Sequence, residues 1–582
     1  MEDLMKKHNI GAYITRTGDE HLSEYIGDSD KRVKFLTGFT GSNGIAVTCK
    51  DSVLYTDSRY YIQAERELKG YKLMRSTDTP IEEYLSNTLE NRRVGLCPRF
   101  FSGRYYKIIK EKFAKKGLEL VSFKNDLVDE IWKDKPERIF KEIYSIENFS
   151  LEDFYSKNLG EENLFKDTPI TKSIPKRVVS MNYKEKLEKV RNLIGDDETL
   201  IISELDTIAW LLNLRGDDIE YNPIFYSYLV ITKRMCHLFV NSKIALEDVK
   251  IHNYCDFCAS FIDVITNKVV FSGDCNAFIT NKFPTHRTIE DIRMLQSIKG
   301  EAEIEGFNLA YILDGIALTR LFEYVESNYK SLDEKTVADK LNEFKSIFAG
   351  YNGPSFGTIA GAGENSAVVH YEAGDKQLEN DMPLLVDSGS NYTFGTTDTT
   401  RTLFIGKPSD EFRKDFTLVL KGQLRAMCGT FPVGVSGGIL DGLTRLDLWK
   451  QKRNYGHAAG HGVGHFLCVH ENPPTLYPNS SDAVKPSQIF SIEPGFYKDG
   501  EYGIRIENLV LSQDVGDGFM QFKNITYVPY QLDLIDLEML TDEELDQINS
   551  LSREIRRVLE RYIEKGSRVH EYLIKNTKEL KK

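Results

Sequence analysis

Short apolar runs alternate with amphipathic segments over the first part of the chain. The runs at 11–16, 93–97 and 118–122 have the length and composition of strands, and the segment 105–116 has the periodicity of a helix. Strands and helices that alternate in this way pack into a layered unit around a core of their own. The pattern therefore predicts an α/β domain over residues 1–137.

Residues 138–298 repeat this pattern. Paired apolar strands are predicted within 199–216 and 222–241, around a glycine turn, and their order matches that of residues 38–57. Few residues are identical between the two stretches, so the likeness is one of pattern. It indicates a second α/β domain that arose by duplication.

A long helix is predicted from Gly300 onward. Its apolar residues trace one face of an amphipathic helix, namely Ile304, Phe307, Tyr311, Ile312, Ile316, Leu321 and Phe322. A second helix is predicted over 332–348, and strands then alternate with helices as far as residue 515. Residues 299–515 therefore form a third predicted domain.

The last segment, 516–582, is predicted to be an extension that packs on the third domain. Apolar runs within 524–537 predict strands, and Thr541 and Glu544 have the spacing of a capping box that starts a helix. The extension follows all of the candidate site residues in the sequence. We therefore expect it to have a structural role and to contribute to dimerisation.

Charge and composition narrow the class of protein. A net charge of −13 argues against nucleic acid as the main partner, because nucleic-acid-binding proteins usually present a basic face. No run approaches the roughly 20 apolar residues that a membrane span needs, and no secretory signal is recognisable. The eight cysteines are scattered, and Cys255 and Cys258 form a CxxC pair without a second pair, which favours buried thiols over a zinc site. We expect a soluble cytoplasmic protein.

The stretch 365–508 carries the side chains with the clearest chemistry. Five of them lie beside turn glycines or inside strand-like apolar runs, namely Asp387, Asp398, His461, Glu493 and Glu507. Four carboxylates and one imidazole are an oxygen-rich ligand set that suits two harder divalent cations such as manganese. Carboxylates about 4 Å apart repel by roughly 4 kcal/mol per pair at an effective dielectric of about 20, and two divalent cations would cancel this repulsion. The sequence therefore predicts a dinuclear metal site.

The spacing of the carboxylates predicts two hairpins. Asp387 ends an apolar run and Asp398 opens the next one, so a hairpin would bring both to the same place. Glu493 and Glu507 are arranged in the same way on either side of a turn at 498–500. A metal site requires precisely placed ligands, and rigid strands would supply them.

The motifs around these residues are similar to those of a known family. They read VDSG at 386–389, TTDTTRT at 396–402, GHGVG at 460–464, EPGFY at 493–497 and GIRIEN at 503–508. With them the chain resembles the pita-bread metallopeptidases, in particular their cytosolic, three-domain branch, the aminopeptidases P. The resemblance covers most of the chain. It implies an α/β (α+β) protein with two creatinase-N-like α/β domains followed by a pita-bread metallopeptidase domain.

The resemblance also implies a role for each candidate ligand. Asp387 would bind one metal ion through both of its oxygens, and Asp398 and Glu507 would bridge the two ions. His461 and Glu493 would complete the shell of the other ion. The family uses two manganese ions, with zinc and cobalt as alternatives, and a hydroxide between them attacks the scissile carbonyl. Glu493, or the water network beside it, would handle the proton that moves to the leaving nitrogen, since a peptide-bound proline has no N–H.

Other residues match family positions that contact the substrate. His370 and His470 match histidines that act in catalysis by contacting the substrate and the developing oxyanion. His457 and Tyr497 match further pocket residues, and Arg59 matches an arginine of the first domain that contacts the substrate. Taken singly, such residues are usually explained by a buried core, a surface ion pair or aromatic packing.

The chain departs from the family pattern just before the histidine ligand. Ala458 and Ala459 stand where the family has glycine and threonine. The change could shift the backbone that enters the site, so it bears on activity and on peptide-length preference more than on metal binding. Of the neighbouring residues, Arg401 is expected to hold a carboxylate rather than the substrate, and His465 is expected to be structural.

The resemblance implies a metalloaminopeptidase that hydrolyses the N-terminal Xaa-Pro bond of peptides. Its substrates would be peptides with proline at the second position, and it would be a homodimer without nucleic acid or membrane as partners. A prolidase restricted to Xaa-Pro dipeptides and a methionine aminopeptidase are alternatives, against which the duplicated first half and the long tail argue. A metal-free binding module with the pita-bread fold is an alternative from another class. All five ligand residues are present, however, and the sequence lacks the long acidic extensions of such modules.

Overall fold

The computed structural model describes residues 1–159 and 174–582, which form two compact units. The first unit comprises Met1–Tyr144 and Tyr183–Arg293, and the second comprises Ser145–Asn182 and Met294–Lys582. Clusters of buried hydrophobic residues lie within each unit, so each unit has a core of its own.

The first unit begins with a six-stranded sheet and its helices. The strands are β1 (Ala12–Arg16), β2 (Ile45–Thr48), β3 (Val53–Thr56), β4 (Lys72–Arg75), β5 (Arg93–Leu96) and β6 (Glu119–Ser122). The helices are α1 (Glu2–Lys7), α2 (Arg32–Thr37), α3 (Tyr61–Glu67), α4 (Ile81–Thr88), α5 (Gly103–Lys115) and α6 (Leu127–Ile131). The strand order is β4-β3-β2-β1-β5-β6, with β1, β2 and β3 antiparallel and the outer pairs parallel. The strands and the helix predicted for this segment are confirmed.

The first unit also contains a second sheet of the same design. The next elements along the chain are β7 (Tyr144–Ser145), α7 (Leu151–Leu159), α8 (Tyr183–Arg191), β8 (Glu198–Ile202), α9 (Leu205–Leu212), β9 (Leu214–Arg215), β10 (Tyr228–Ile231), β11 (Cys236–Phe239), β12 (Lys250–His252), α10 (Asp256–Ala259), β13 (Lys268–Phe271), α11 (Ala277–Thr280), β14 (Arg287–Thr288) and α12 (Asp291–Ser297). The second sheet has the order β12-β11-β10-β8-β13-β14. From one edge to the other, its pairs are parallel or antiparallel in the same succession as those of the first sheet. This shared topology supports the predicted duplication.

The prediction of paired strands is wrong for one segment of the second sheet. Leu205–Leu212 forms helix α9 instead of part of a strand. All of its residues except Asp206 are buried. The segment is therefore apolar on every side and has no periodicity that would distinguish a buried helix from a buried strand.

The second unit contains helix α7 and, after α12, the remaining elements of the chain. In order they are α13 (Glu301–Asn328), α14 (Glu334–Ser346), β15 (Ile359–Ala362), β16 (Met382–Ser388), β17 (Asn391–Tyr392), β18 (Gly395–Thr396), β19 (Thr399–Ile405), α15 (Asp410–Met427), β20 (Thr430–Pro432), α16 (Gly437–Lys450), β21 (Gly460–Gly462), β22 (Glu471–Leu476), β23 (Ile489–Ile492), β24 (Gly495–Lys498), β25 (Tyr502–Arg505), β26 (Asn508–Gly516), β27 (Phe519–Asn524), α17 (Asp542–Leu559) and α18 (Arg568–Lys575). Strands β15, β16 and β19 form one sheet, and a six-stranded sheet has the order β20-β27-β26-β23-β21-β22. The pairs β17–β18 and β24–β25 are separate hairpins.

Helix α13 is buried on nearly all sides, so the predicted amphipathic pattern is wrong for most of its length. Polar residues are buried along with the apolar ones, among them Glu305, Asn308 and Asp314. The reason is tertiary, because α14, α17, α18 and β18 all pack around this helix.

The extension after residue 515 differs in part from its prediction. Strand β27 ends at Asn524, and the buried residues 525–530 continue as irregular chain instead of the predicted strands. The capping box of Thr541 and Glu544 is confirmed, and it starts α17, which packs against α13 and α15. Among the described helices, none is both long and apolar enough to cross a membrane.

Candidate metal centre

A rigid hairpin carries the two aspartates. Strands β16 and β19 are antiparallel, with Asp387 opposite Thr400, and Asp398 immediately precedes β19. The turn between the strands is anchored by the buried carboxylate of Asp314, which pairs with the buried Lys345 at 3.3 Å. This carboxylate accepts hydrogen bonds from Ser390 Oγ (2.8 Å), Tyr392 OH (3.1 Å) and Thr397 Oγ1 (2.5 Å). The predicted first hairpin is thus present and held from within.

The neighbouring strands β21, β23 and β26 carry the other three candidates. Strands β23 and β26 pair in antiparallel register up to the positions next to Glu493 and Glu507. His461 lies in β21, which pairs with β23. A backbone hydrogen bond from Glu507 N to Thr400 O (3.1 Å) joins this sheet to the hairpin of the aspartates. The predicted second hairpin is present as β24–β25, between β23 and β26.

The structure brings the five predicted ligands together. His461 Nε2 lies 3.5 Å from Asp398 Oδ2 and 3.4 Å from Glu493 Oε1. Asp398, His461 and Glu507 each offer an atom within 4.8 Å of the others, a spacing at which they can share a metal ion. Asp387 lies opposite Thr400 in the hairpin, and Thr400 Oγ1 donates to Glu507 Oε2 (2.8 Å), which places Asp387 beside the same cluster.

Burial and crowding disfavour the charged forms of the glutamates. Burial raises the pKa of Glu493 to about 7. The charge of His461 opposes this shift, and the charge of Asp398 adds to it. Burial also raises the pKa of Glu507 well above its usual range, and Asp398 adds to this shift. Burial lowers the pKa of His461, but its hydrogen bond to Asp398 and the charge of Glu493 outweigh burial and raise the pKa to about 9. Where no cation is bound, protonation relieves the repulsion between these carboxylates, as is usual for like charges at short distance.

The donor atoms of the cluster fit divalent cations. Among the described residues, Asp387 Oδ1 and Glu507 Oε1 are buried carboxylate oxygens without a hydrogen-bond partner, an arrangement that is costly unless a cation binds. His461 Nδ1 lies 2.9 Å from Gly462 O, so Nδ1 carries the proton and Nε2 is the nitrogen left for a metal ion. Four carboxylates and one imidazole suit two harder cations.

A chain of hydrogen bonds that we did not predict runs from Asp387 to His457. Arg505 donates to Asp387 Oδ2 (2.6 Å) and to Tyr497 OH (2.8 Å). Tyr497 OH lies 2.8 Å from His457 Nε2, and His457 Nδ1 lies 2.7 Å from Ala458 O. A carbonyl can only accept, so Nδ1 donates to it and the tyrosine hydroxyl donates to Nε2. Burial and the charge of Arg505 lower the pKa of His457 well below its usual range, so this histidine is neutral.

The two histidines expected to act in catalysis lie near the same cluster. The ring of His470 is 4.3 Å from that of His461, in an edge-on arrangement. The residue before His370 is Val369, whose carbonyl accepts a hydrogen bond from Arg505 (3.4 Å), the same side chain that bonds to Asp387. Arg59 belongs to the first unit, where its guanidinium pairs with both carboxylate oxygens of Asp57 at 2.8 Å. Its contact with a substrate stays a prediction.

Arg401 does not hold a carboxylate, so that prediction is wrong. Its guanidinium donates to backbone carbonyls, those of Thr400 (2.9 Å), Glu507 (2.7 Å) and Val528 (2.9 Å). It thereby links β19 to Glu507, which precedes β26, and to Val528, which follows β27. His465 is structural as predicted, since it is buried and its Nε2 bonds to Phe394 O at 2.9 Å.

The residue that the sequence analysis missed is Arg505. It stands two positions before Glu507 in the sequence, and alternate residues of an extended chain share a face, so this spacing was an available signal. No comparable signal exists for the pairing of Lys345 with Asp314, because the two residues lie on different helices and meet only in the fold.

The two alanines before His461 fit the local backbone. Ala459 is fully buried, and its backbone accepts a hydrogen bond from Glu493 N (2.9 Å) and donates one to Leu476 O (2.7 Å). The next residue has no such tolerance, because a Cβ at Gly460 would lie 2.0 Å from Ser491 O. The close approach of β21 to β23 therefore depends on Gly460 rather than on the substituted positions.

Known families match nearly the whole length of the described chain. Residues 305–514 match metallopeptidase family M24, and residues 518–580 match the C-terminal region of peptidase M24. Residues 2–131 and 166–303 each match a creatinase/prolidase N-terminal domain. The predicted succession of two creatinase-N-like domains and a pita-bread metallopeptidase domain is therefore confirmed.

Several relatives are similar to the chain over its full extent. A probable Xaa-Pro aminopeptidase P of Coprinopsis cinerea is 32% identical over 99% of this chain and 97% of the relative, and one of Fusarium vanettenii is 35% identical over 95% and 94%. A solved structure of X-prolyl aminopeptidase from Caenorhabditis elegans, described as a cytosolic enzyme with a di-nuclear active site, has a TM-score of 0.89 at 29% identity and covers 98% of this chain and 95% of that one. The chain thus belongs to metallopeptidase family M24, among the Xaa-Pro aminopeptidases P.

Proposed function

We propose that this peptidase removes the N-terminal residue of peptides by hydrolysing its bond to a following proline. The observation that carries the proposal is the convergence of four carboxylates and an imidazole on one buried cluster, beside which lie His370, His457 and His470. A binding module has no use for so many mutually repelling buried groups, because each of them opposes folding. The relatives named Xaa-Pro aminopeptidase P support the choice of substrate.

The cluster would hold two divalent cations. We assign Asp387, Asp398, His461, Glu493 and Glu507 as the residues that would hold them. We propose manganese, because oxygen donors outnumber nitrogen, with zinc and cobalt as alternatives. Such cations, when bound, polarise a substrate carbonyl and lower the pKa of a water molecule.

The protein's own groups fix the carboxylates and handle the proton. Arg505 holds Oδ2 of Asp387 and orients this carboxylate, so we propose that Oδ1 serves a cation, in place of the expected binding through both oxygens. A peptide-bound proline has no N–H, so its nitrogen must receive a proton when it departs. We assign this transfer to Glu493, whose Oε2 lies 3.9 Å from His457 Nδ1 and whose Oε1 faces the histidine ligand.

The remaining candidates would bind the peptide. We propose that His370 and His470 contact the substrate and stabilise the negative charge that develops on its carbonyl oxygen. An imidazole N–H group can do so whether the ring is neutral or protonated. His457 and Tyr497 form the pocket wall that Arg505 orders through its bond to the tyrosine hydroxyl. Arg59 is a further substrate contact that we propose.

We propose a cytoplasmic homodimer, to whose interface the extension of residues 516–582 would contribute. An exposed apolar stripe on α16 supports self-association, since Ile439 (58% exposed), Leu446 (36%) and Trp449 (49%) lie on one side of this helix. Exposed apolar stripes mark association sites, tryptophan is enriched at the centres of interfaces, and one stripe can meet its own copy across a two-fold axis. Eight free cysteines and the cytosolic description of the C. elegans enzyme support the compartment.

The division into domains is part of the same proposal. We propose domains of residues 1–137, 138–298 and 299–515 and an extension of residues 516–582. The four family matches support this division, because each of them falls largely within one of these segments.

The proposal is tested with protein stripped of metal and reloaded with Mn²⁺. We expect about two bound ions per chain and release of the first residue from an Xaa-Pro-Pro tripeptide. A clear preference for the Xaa-Pro dipeptide would instead indicate a prolidase. Protein that binds no metal and hydrolyses neither peptide with added Mn²⁺ would indicate a binding module.

A further inference from the structure

His370 lies on a loop of residues 362–374 that has little regular structure. The loop leaves β15 at Ala362, passes through a short 3-10 helix at Gly363–Ala367 and a turn at 369–370, and continues as irregular chain to Gly374. A loop of this kind presents a side chain in a defined place only if other parts of the protein hold it.

One buried side chain holds both ends of this loop. Glu334 is the first residue of α14, and its side chain is fully buried. Its carboxylate accepts four hydrogen bonds, Oε1 from Ala362 N (2.8 Å) and Asn365 Nδ2 (2.9 Å), and Oε2 from Tyr371 OH (2.6 Å) and Gly374 N (3.2 Å). One oxygen therefore holds the beginning of the loop and the other its end, with His370 between them.

Strand β25 supports the loop through separate contacts. Gly503 N donates to Ser366 Oγ (2.7 Å), and Arg505 donates to Val369 O (3.4 Å), next to His370. A Cβ at Gly503 would lie 1.9 Å from Ser366 O, so this contact requires glycine. With β25 and Glu334 both bonded to it, the loop has little freedom to displace His370.

We propose that Glu334 is a positioning residue for the peptidase reaction, which holds the 362–374 loop so that His370 is presented to the substrate. The inference rests on the proposed function, in which His370 contacts the substrate. The four partners of the carboxylate all belong to the loop, and none is an assigned metal ligand or substrate contact. An effect of Glu334 on catalysis must therefore pass through the loop.

The position requires a carboxylate because all four partners are donors. An ionised carboxylate accepts on both oxygens, whereas the amide of glutamine accepts on one side and donates on the other. In Glu334→Gln the amide NH₂ would face the N–H of either Ala362 or Gly374, so one end of the loop would lose its bond. Misplacing a catalytic group by about 1 Å costs on the order of 100-fold in rate.

A purely structural role in α14 is the alternative, and the neighbouring residue separates the two. A carboxylate in the first turn of a helix stabilises that helix. Asp333, the N-cap of α14, does so at the surface, where its side chain accepts hydrogen bonds from Thr336 N (2.7 Å) and Thr336 Oγ1 (2.5 Å). Asp333→Asn keeps the cap but removes a carboxylate charge from the same helix end, as Glu334→Gln does, without removing a bond to the loop.

The experiment compares Glu334→Gln, Tyr371→Phe and Asp333→Asn with the wild type by two measurements. The first is kcat of the manganese-loaded enzyme on an Xaa-Pro-Pro tripeptide, and the second is hydrogen–deuterium exchange of residues 362–374. We expect Glu334→Gln to lower kcat by about 10- to 100-fold at unchanged metal content and to speed exchange of the loop. Tyr371→Phe should act in the same direction but less, and Asp333→Asn should do neither.

A double variant shows whether the effect passes through His370. In the His370→Ala background, Glu334→Gln should cause no further loss of kcat, because nothing is left to position. An unchanged kcat in Glu334→Gln, or an equal further loss in the His370→Ala background, would overturn the inference. If Glu334→Gln does not fold, Tyr371→Phe is judged by the same criteria. A wild type that does not hydrolyse the tripeptide would refute the proposed function. Hydrogen–deuterium exchange of the loop would then test the role of Glu334 by itself. Faster exchange confined to the loop in Glu334→Gln would support that role, and unchanged exchange would contradict it.

Discussion

Replacing Arg505 with methionine should destabilise the protein far more without metal than with it. The guanidinium is buried, bonds to Asp387 at 2.6 Å and to Tyr497 at 2.8 Å, and is the cation next to this carboxylate. Removing one partner of a buried ion pair typically costs about 3–5 kcal/mol, because the other charge is left unpaired. We therefore expect Arg505→Met to lower the free energy of unfolding of the metal-free protein by about 3 kcal/mol.

Bound cations should restore most of this stability. They supply the positive charge that Asp387 loses, so the remaining deficit in manganese should be about 1 kcal/mol, the value of the lost hydrogen bond to Tyr497. Arg505→Lys is the matched control, since it keeps the charge but cannot bond to both partners as a planar fork. Its deficit should be near 1 kcal/mol with or without metal.

The assay is urea unfolding in EDTA and at one fixed, saturating concentration of free Mn²⁺, with each variant compared with the wild type under the same condition. Fixing the free metal matters because ligand binding itself raises the stability of the folded state. Equal deficits of Arg505→Met in EDTA and in Mn²⁺ would refute the reasoning. So would an Arg505→Lys variant that is as unstable in EDTA as the methionine variant.

Four further variants test other parts of the molecule. Asp398→Ala should abolish turnover and metal binding, whereas His370→Ala should lower kcat by at least about 10-fold at unchanged metal content; metal loss from the second variant would make His370 a ligand. Burial raises the pKa of Asp126 to about 6, so the folded state binds this proton more tightly than the unfolded chain. The stability that this group contributes is present below about pH 4 and is lost as the pH rises through 6, by at most about 3 kcal/mol. The free energy of unfolding of Asp126→Asn in urea, relative to that of the wild type, should therefore increase over this range and then level off. Ile439→Asp combined with Leu446→Asp should yield monomers in light scattering, and a persistent dimer would place the interface elsewhere.

These variants have controls within the chain. Asparagine is as good an N-cap as aspartate, so Asp126→Asn keeps the cap of α6 and changes only the titration; an advantage that does not vary with pH would contradict the pKa argument. Val264→Asp places the same charge on another apolar residue that is 68% exposed, and it should leave the dimer intact. Trp449 is left unchanged because its indole N–H bonds to Asn454 (3.1 Å), so its replacement would also disturb the end of α16.

Features with local signals could be predicted from the sequence. The hairpin between Asp387 and Asp398 follows from two apolar runs and the turn between them, and the start of α17 follows from the capping box of Thr541 and Glu544. Turn chemistry, strand alternation and helix caps depend on neighbours in the chain, so they can be recognised without the fold. The candidate ligands were recognisable for the same reason, because they stand at the ends of such elements.

Elements buried on several sides were predicted less well. Helix α9 is apolar all round, helix α13 buries Glu305 and Asp314 with its apolar residues, and residues 525–530 are buried without forming a strand. Amphipathic periodicity arises where one face meets solvent and the other meets the core. Where other elements cover every face, the period disappears from the sequence.

Partners that are distant in sequence were beyond prediction. Arg505 meets Asp387, Glu334 holds the loop of His370, and Arg401 binds backbone carbonyls where a carboxylate was expected. In each case the chain fixes which donors and acceptors exist, but the packing of remote strands and helices selects which of them meet. Once they are buried, each must find a partner, because an unpaired polar group away from water is costly, and that selection is made by the folded protein as a whole.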